Sequence, residues 1–191
     1  MTLEEEILWL EMKIRKCRRC RLSNFRTNVV VGEGSLRPKI FFIGEAPGRS
    51  ENREGRPFVG AAGNVLARLL EFIDLSREAV YITNVVKCRP PGNREPTKEE
   101  IEACRPYLER QLFLLRPKLI ATLGRIAWKW VCDEFGLEYY SLSKVHGKTF
   151  DVVTWYGRAK IVPLYHPAVA VYNPNREQTL REDMAKLKQL L

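Results

Sequence analysis

The sequence predicts a single α/β domain whose mainly parallel sheet is covered by helices on both faces. Three observations predict it. Four short apolar runs, Lys39–Ile43, Val80–Val85, Leu119–Leu123 and Ile161–Leu164, have the length of strands. Segments with apolar residues at helical spacing separate most of them. Strands that alternate with helices need crossover connections, and these make neighbouring strands parallel and bury the sheet on both sides. A chain of 191 residues fits one domain, residues 1–191, with a core of its own.

In chain order, Thr2 to Lys16 reads as an amphipathic helix, with Leu3, Ile7, Leu10 and Ile14 on one face and a Thr2–Glu5 capping box at its start. Val65, Leu66, Leu69 and Ile73 mark a second helix. Thr97 with Glu100 caps a third, whose buried stripe includes Ile101, Cys104, Leu108 and Leu112. A fourth runs from about Arg125 to Glu134, and Leu180, Met184, Leu187 and Leu191 mark the last. Tyr139–Tyr156 reads as a hairpin or a loop. No repeat or low-complexity tract interrupts the chain.

Composition narrows the function. Apolar residues make up 45% and charged residues 29%, as in a soluble globular protein, and no apolar run is long enough to span a membrane. Met1 to Lys16 starts acidic, unlike a signal peptide, so a cytoplasmic, nucleoid-associated location is expected. The 32 Lys and Arg against 23 Asp and Glu leave a net charge of +9, which favours a polyanionic partner, nucleic acid foremost. The same charge density also suits the ion-pair networks of a thermophile.

In an open α/β sheet, ligands bind beyond the carboxyl ends of the strands. The unusual segments fall there. Gly44–Gly63 follows the first strand and is rich in glycine, yet it has neither the Gly-Lys-Ser/Thr of a phosphate-binding loop nor a Gly-x-Gly-x-x-Gly. Apolar Phe58 stands out among its polar residues. Asn84 ends the second strand, where one amide can both donate and accept against a base edge; the plain alternative is a turn-forming Asn. His166 follows the fourth strand before a proline-fixed turn, whereas His146 lacks such a context.

The five cysteines divide. Cys17-x-x-Cys20, Cys88 and Cys104 could together hold zinc or a cubane iron–sulfur cluster, and spacing alone does not choose. Cys132, beside Trp128 and Trp130 in an apolar helix, reads as core. Lys16, Arg18, Arg19, Arg21, Arg89, Arg94 and Arg105 surround the four in sequence, as a surface for a DNA backbone would require.

Taken together, Gly44-Glu45-Ala46-Pro47-Gly48 with Arg56-Pro57-Phe58-Val59-Gly60, the run Thr83 to Arg94, His166-Pro167-Ala168 and the four cysteines resemble the family 4 uracil-DNA glycosylases, the thermostable type with a [4Fe–4S] cluster. The resemblance covers roughly residues 5 to 190 and implies a three-layer α/β/α sandwich with a four-stranded, mainly parallel central sheet. It implies a monofunctional enzyme of base excision repair, acting on uracil-containing DNA and expected to be a monomer. By the resemblance, Phe58 stacks on the flipped uracil, Asn84 pairs with its N3–H and O4 edge, and His166 donates to O2. Glu51 crowds the C5 side. Glu45 or Glu51 orients the attacking water, with backbone from Glu45 to Gly48, so the implied uracil-binding set is Glu45, Ala46, Glu51, Phe58, Asn84 and His166. Cys17, Cys20, Cys88 and Cys104 ligate the cluster. Val169, Val171 or Tyr172 wedges into the vacated stack. At the position after Glu45, the resemblance gives Gly, or Asp in related glycosylases; here it is Ala46, which offers no carboxylate. No Lys-Arg-Arg-Ile-His loop occurs near Arg89–Lys98, so turnover rather than a covalent DNA adduct is expected.

Overall fold

The structure, a computed structural model, describes residues 1–191. Its sheet has six strands: β1 (Glu33–Gly34), β2 (Phe41–Gly44), β3 (Tyr81–Asn84), β4 (Leu119–Leu123), β5 (Phe150–Thr154) and β6 (Gly157–Leu164). They lie in the order β1-β3-β2-β4-β6-β5. The middle four are parallel, and β1 and β5 pair antiparallel at the two edges. The expected four-stranded sheet is thus a six-stranded mixed sheet. The four apolar runs became its parallel centre, and two edge strands were added to it.

Eight helices cover this sheet: α1 (Leu3–Arg15), α2 (Arg49–Glu54), α3 (Ala61–Phe72), α4 (Lys98–Leu115), α5 (Arg125–Phe135), α6 (Leu142–Val145), α7 (Ala168–Tyr172) and α8 (Glu177–Lys188). Side chains alternate across a strand, so each strand feeds two cores. Phe41, Ile43, Ile120 and Ile161 pack with Leu10, Ile14, Leu108, Leu112, Trp128 and Val131 of α1, α4 and α5. Ile40, Phe42, Ala121 and Val162 face the other way, onto Leu66, Leu69, Leu70, Leu180, Met184 and Leu187 of α3 and α8. Two cores on opposite sides of one sheet make three layers.

The helix starts follow their sequence signals. Thr2 Oγ1 accepts the Glu5 N–H while Glu5 accepts the Thr2 N–H, and Thr97 with Glu100 repeats the exchange at α4. The last helix ends at Lys188, which leaves Leu191 exposed beyond it rather than on its buried stripe. Cys132 is buried in the core as expected. No helix is long and apolar enough to cross a membrane. The strand order reverses at β2, whose neighbours are the later strands β3 and β4. The crevice at their carboxyl ends is where such folds hold a ligand.

Candidate active site

A cavity of about 400 Å³ opens at that crevice. Its walls come from the segments after β2, β3 and β6, and include Glu45, Ala46, Glu51, Phe58, Asn84 and His166. All six residues expected at the site therefore meet in one cavity.

Phe58 enters it from a strained backbone. Its φ of 49° lies in the left-handed region, which is costly for a bulky side chain, and its ring is 6% exposed. Two features hold it there. A Cβ on Gly63 would lie 2.0 Å from the Phe58 carbonyl oxygen, so only glycine lets α3 start beneath that loop. Arg77 Nη1 donates to the Phe58 carbonyl at 2.9 Å, and Nη2 to that of Pro57 at 2.6 Å. Glu33 in turn accepts from Arg77 and, at 2.8 and 2.9 Å, from Arg56. Sequence reasoning had no signal for Arg77, because its partners are backbone carbonyls some twenty residues away. Arg77→Met should slow catalysis roughly 10–100-fold at temperatures well below unfolding, since small misplacements cost that much, and leave binding to undamaged nucleic acid intact. Arg77→Lys should recover part of the loss. A variant as active as the parent would show that the strained loop holds itself.

Asn84 ends β3 almost fully buried, at 1% exposure, and its Oδ1 has no hydrogen-bond partner. Burying an amide oxygen unpaired costs about 1–3 kcal/mol, so it stands ready for a donor brought by a ligand. Gly44 makes room for it: a Cβ there would lie 2.4 Å from Asn84 Oδ1 and 2.8 Å from Phe58 Cε2. The base of the cavity is therefore the bare backbone of β2, with Asn84 and Phe58 meeting over it. Behind Asn84, fully buried Lys87 donates from Nζ to the Asn84 carbonyl at 2.8 Å, to Thr83 Oγ1 at 2.6 Å and to Gln111 Oε1 at 2.7 Å.

The His166 ring lies 5.6 Å from that of Phe58, centroid to centroid and nearly parallel. Its Nδ1 accepts the Ala168 N–H at 3.1 Å. A neutral imidazole that accepts at Nδ1 carries its proton on Nε2, so the other edge of the ring is a donor. Burial lowers the His166 pKa to about 4 against a smaller opposing pull from Glu51, so the ring is neutral at physiological pH. His146 lies elsewhere, its Nδ1 2.6 Å from buried Asp183.

The two acidic candidates differ. Glu51 Oε1 accepts the N–H groups of Val59 and Gly60, both at 3.3 Å. The Glu45 side chain makes no hydrogen bond to protein. Burial raises its pKa, helped by Glu95 and opposed by Arg125. Of the wedge candidates, Val169 is half-buried, while Val171 and Tyr172 at the end of α7 are exposed, Tyr172 by 88%.

Cys17, Cys20, Cys88 and Cys104 line one compact void between α1, α4 and the loop after β3, together with Lys87. Arg26 Nη1 donates to Cys88 Sγ at 3.2 Å, and the Arg19 N–H to Cys17 Sγ at 3.4 Å. No three metal-binding side chains converge closely enough for a single ion. Four thiols lining one void are by their chemistry the donor set that holds either one zinc or a cubane iron–sulfur cluster. The surrounding cations do not all face solvent as expected. Lys16, Arg18, Arg19 and Arg21 are exposed. Arg94, however, forms a two-pronged pair with Glu100, and Arg105 is engaged by Glu102 and Glu134, so these two are not free for phosphates.

Comparison with known proteins agrees with this geometry. The family model for the uracil DNA glycosylase superfamily matches residues 31–188. A type-4 uracil-DNA glycosylase of Sulfurisphaera tokodaii is 47% identical over 95% of this chain and 83% of its own. One of Archaeoglobus fulgidus is 47% identical over 93% of this chain and 89% of its own. One of Thermotoga maritima is 42% identical over 100% of this chain and 97% of its own. The chain belongs to the uracil DNA glycosylase superfamily and, within it, to the type-4 uracil-DNA glycosylases.

Proposed function

We propose that this enzyme hydrolyses the N-glycosidic bond of deoxyuridine in single- and double-stranded DNA, releasing uracil and leaving an abasic site. The observation that carries the reading is the buried, partnerless Asn84 Oδ1 in a cavity shared with the Phe58 and His166 rings. Uracil offers an N3–H to that oxygen, a carbonyl to the Asn84 amide nitrogen, and a flat face to Phe58.

A base inside a duplex is out of reach, so the nucleotide flips out at a cost of a few kcal/mol. Tyr172, the most exposed apolar side chain on α7, fills the gap it leaves. As the bond from C1′ to N1 breaks, negative charge gathers on uracil O2 and positive charge on the sugar. The neutral His166 donates from Nε2 to O2, a contact that strengthens as charge develops. Glu45, free of protein partners and raised in pKa, orients the water that attacks C1′. Glu51, fixed by two backbone N–H groups, bounds the cavity on the side of C5, where thymine carries its methyl.

The four cysteines would hold a [4Fe–4S] cluster, which supplies cross-linking of the N-terminal segment to α4 rather than a redox step. Its structural reach extends to the base reader. Cys88 and Cys104 flank Lys87, and Lys87 grips the Asn84 carbonyl. Cys104→Ala should lose bound iron and sulfide and the brown colour, and should lower thermal stability. A variant that keeps its iron would remove Cys104 from the ligand set.

The deciding assay incubates purified protein with oligonucleotides carrying one uracil, thymine or mispaired cytosine, then cleaves abasic sites with hot alkali. Strand scission at uracil alone is the expected result. Tyr172→Ala should slow duplex cleavage more than single-strand cleavage. No scission by cluster-loaded protein would overturn the proposal.

A further inference from the structure

A second concavity, of about 960 Å³, lies apart from the cavity described above. It lies at the amino ends of the parallel strands, lined by Lys39 just before β2, Lys118 and Leu119 at the start of β4, and Arg158 to Lys160 in β6. The catalytic cavity lies beyond the carboxyl ends of those strands, so the two are separated by the sheet's length, roughly 17 Å at about 3.3 Å per residue. Arg37 and Arg116 complete the basic rim.

Arg37, Lys39, Arg116, Lys118 and Arg158 are all exposed around this one hollow, and none of them makes an ion pair. Asp151 is the one acidic side chain in the lining, and Lys160 engages it at 2.7 Å. Five like charges around one hollow repel each other, and no carboxylate pairs with any of them. Arg116 also sits at the C-cap of α4 with a left-handed φ of 44°, where glycine would be less strained. A set of exposed cations without carboxylate partners around one hollow matches a row of phosphates in its chemistry.

We propose that this concavity is a second binding site for the phosphodiester backbone of DNA, which holds another DNA segment while the catalytic cavity scans the first. Its affinity is carried by release of counterions from the phosphates, so it falls steeply with salt. With five contacts, a fourfold rise in salt weakens it on the order of 10²–10³-fold. A protein that holds two segments can pass between them without dissociating into bulk solution.

The test uses the full chain with its cluster, beside the triple variant Arg37→Ala, Lys118→Ala, Arg158→Ala. Two uracil-free duplexes, one carrying a fluorescence donor and one an acceptor, are mixed with protein. The wild type should bring them together at low salt, and the variant should not. Both should excise uracil from a short single strand at the same rate, and the variant should melt at the same or a higher temperature. That control separates failure of this site from failure of the glycosylase reading. Bridging that persists in the variant would assign it to self-association, and absence of bridging by the wild type would overturn the site. Binding of inorganic tripolyphosphate that the variant loses, with no bridging of DNA, would reassign the hollow to a small polyphosphate and equally overturn the proposal.

Discussion

His166→Ala should slow uracil excision by roughly 10²–10³-fold while binding to uracil-free DNA persists. A single preorganised donor to a developing anion is worth about that much. The structure argues for a donor rather than a general acid. Nδ1 is occupied by the Ala168 N–H, so the proton sits on Nε2. Burial holds the pKa at about 4, so the ring is neutral throughout the working range. A neutral imidazole gives a hydrogen bond to an oxyanion without first carrying a charge into an apolar cavity, where that charge would be poorly solvated. The sign of the pH effect follows. A histidine whose folded pKa lies below its ordinary value of 6.5 contributes its full stability above 6.5. That contribution declines as the pH falls towards about 4. NMR titration should find His166 uncharged well below pH 6.5, and with only two histidines in the chain its signal is easily assigned. A single-turnover rate unchanged in His166→Ala would remove the imidazole from the reaction, and protonation near 6.5 would remove the argument for its neutral state.

The parts of this molecule that could be read from its sequence are those governed by local rules. The capping boxes at Thr2 and Thr97 form as expected because each is closed by residues three apart. The four central strands stood out because both of their faces are buried, which leaves an unbroken apolar run. The edges did not. β5 alternates, with Val152 and Thr154 inward and Asp151 and Val153 outward. β6 begins at Gly157 with charged Arg158 and Lys160 facing solvent, so its apolar run emerges only from Ile161. α7 has five residues, too few to show a period. At the site, the residue types were visible but their setting was not. Nothing near Phe58 announces a left-handed backbone held by Arg77, and nothing near Asn84 announces a buried lysine gripping its carbonyl. These depend on contacts across the fold. Arg105 shows the converse: it counts as a basic neighbour of Cys104 in sequence, yet Glu134, from another helix, claims it.

Asn84→Asp should abolish most uracil excision and open a weak activity on unpaired cytosine. Uracil presents a donor at N3 and an acceptor at O4, which one amide satisfies at once. Cytosine presents an acceptor at N3 and a donor at N4, so against the native amide both contacts become repulsive or unpaired in a buried site. Sites built on such pairs reject the wrong partner by roughly 10⁴–10⁵-fold. A carboxyl group reverses the preference. Its oxygens repel uracil O4 but accept from cytosine N4, and in its protonated form it also donates to N3. The exchange is nearly isosteric, so Gly44 still clears the space beneath it and Phe58 still offers its face. Lys87 still holds the backbone carbonyl of residue 84 at 2.8 Å, so the new carboxyl group starts from the same place. Asn84→Ala separates the two effects: it should lose uracil excision and gain nothing on cytosine. If instead Asn84→Asp still excises uracil and ignores cytosine, the base is read elsewhere. The unpaired Oδ1 would then be only a cost that the fold tolerates.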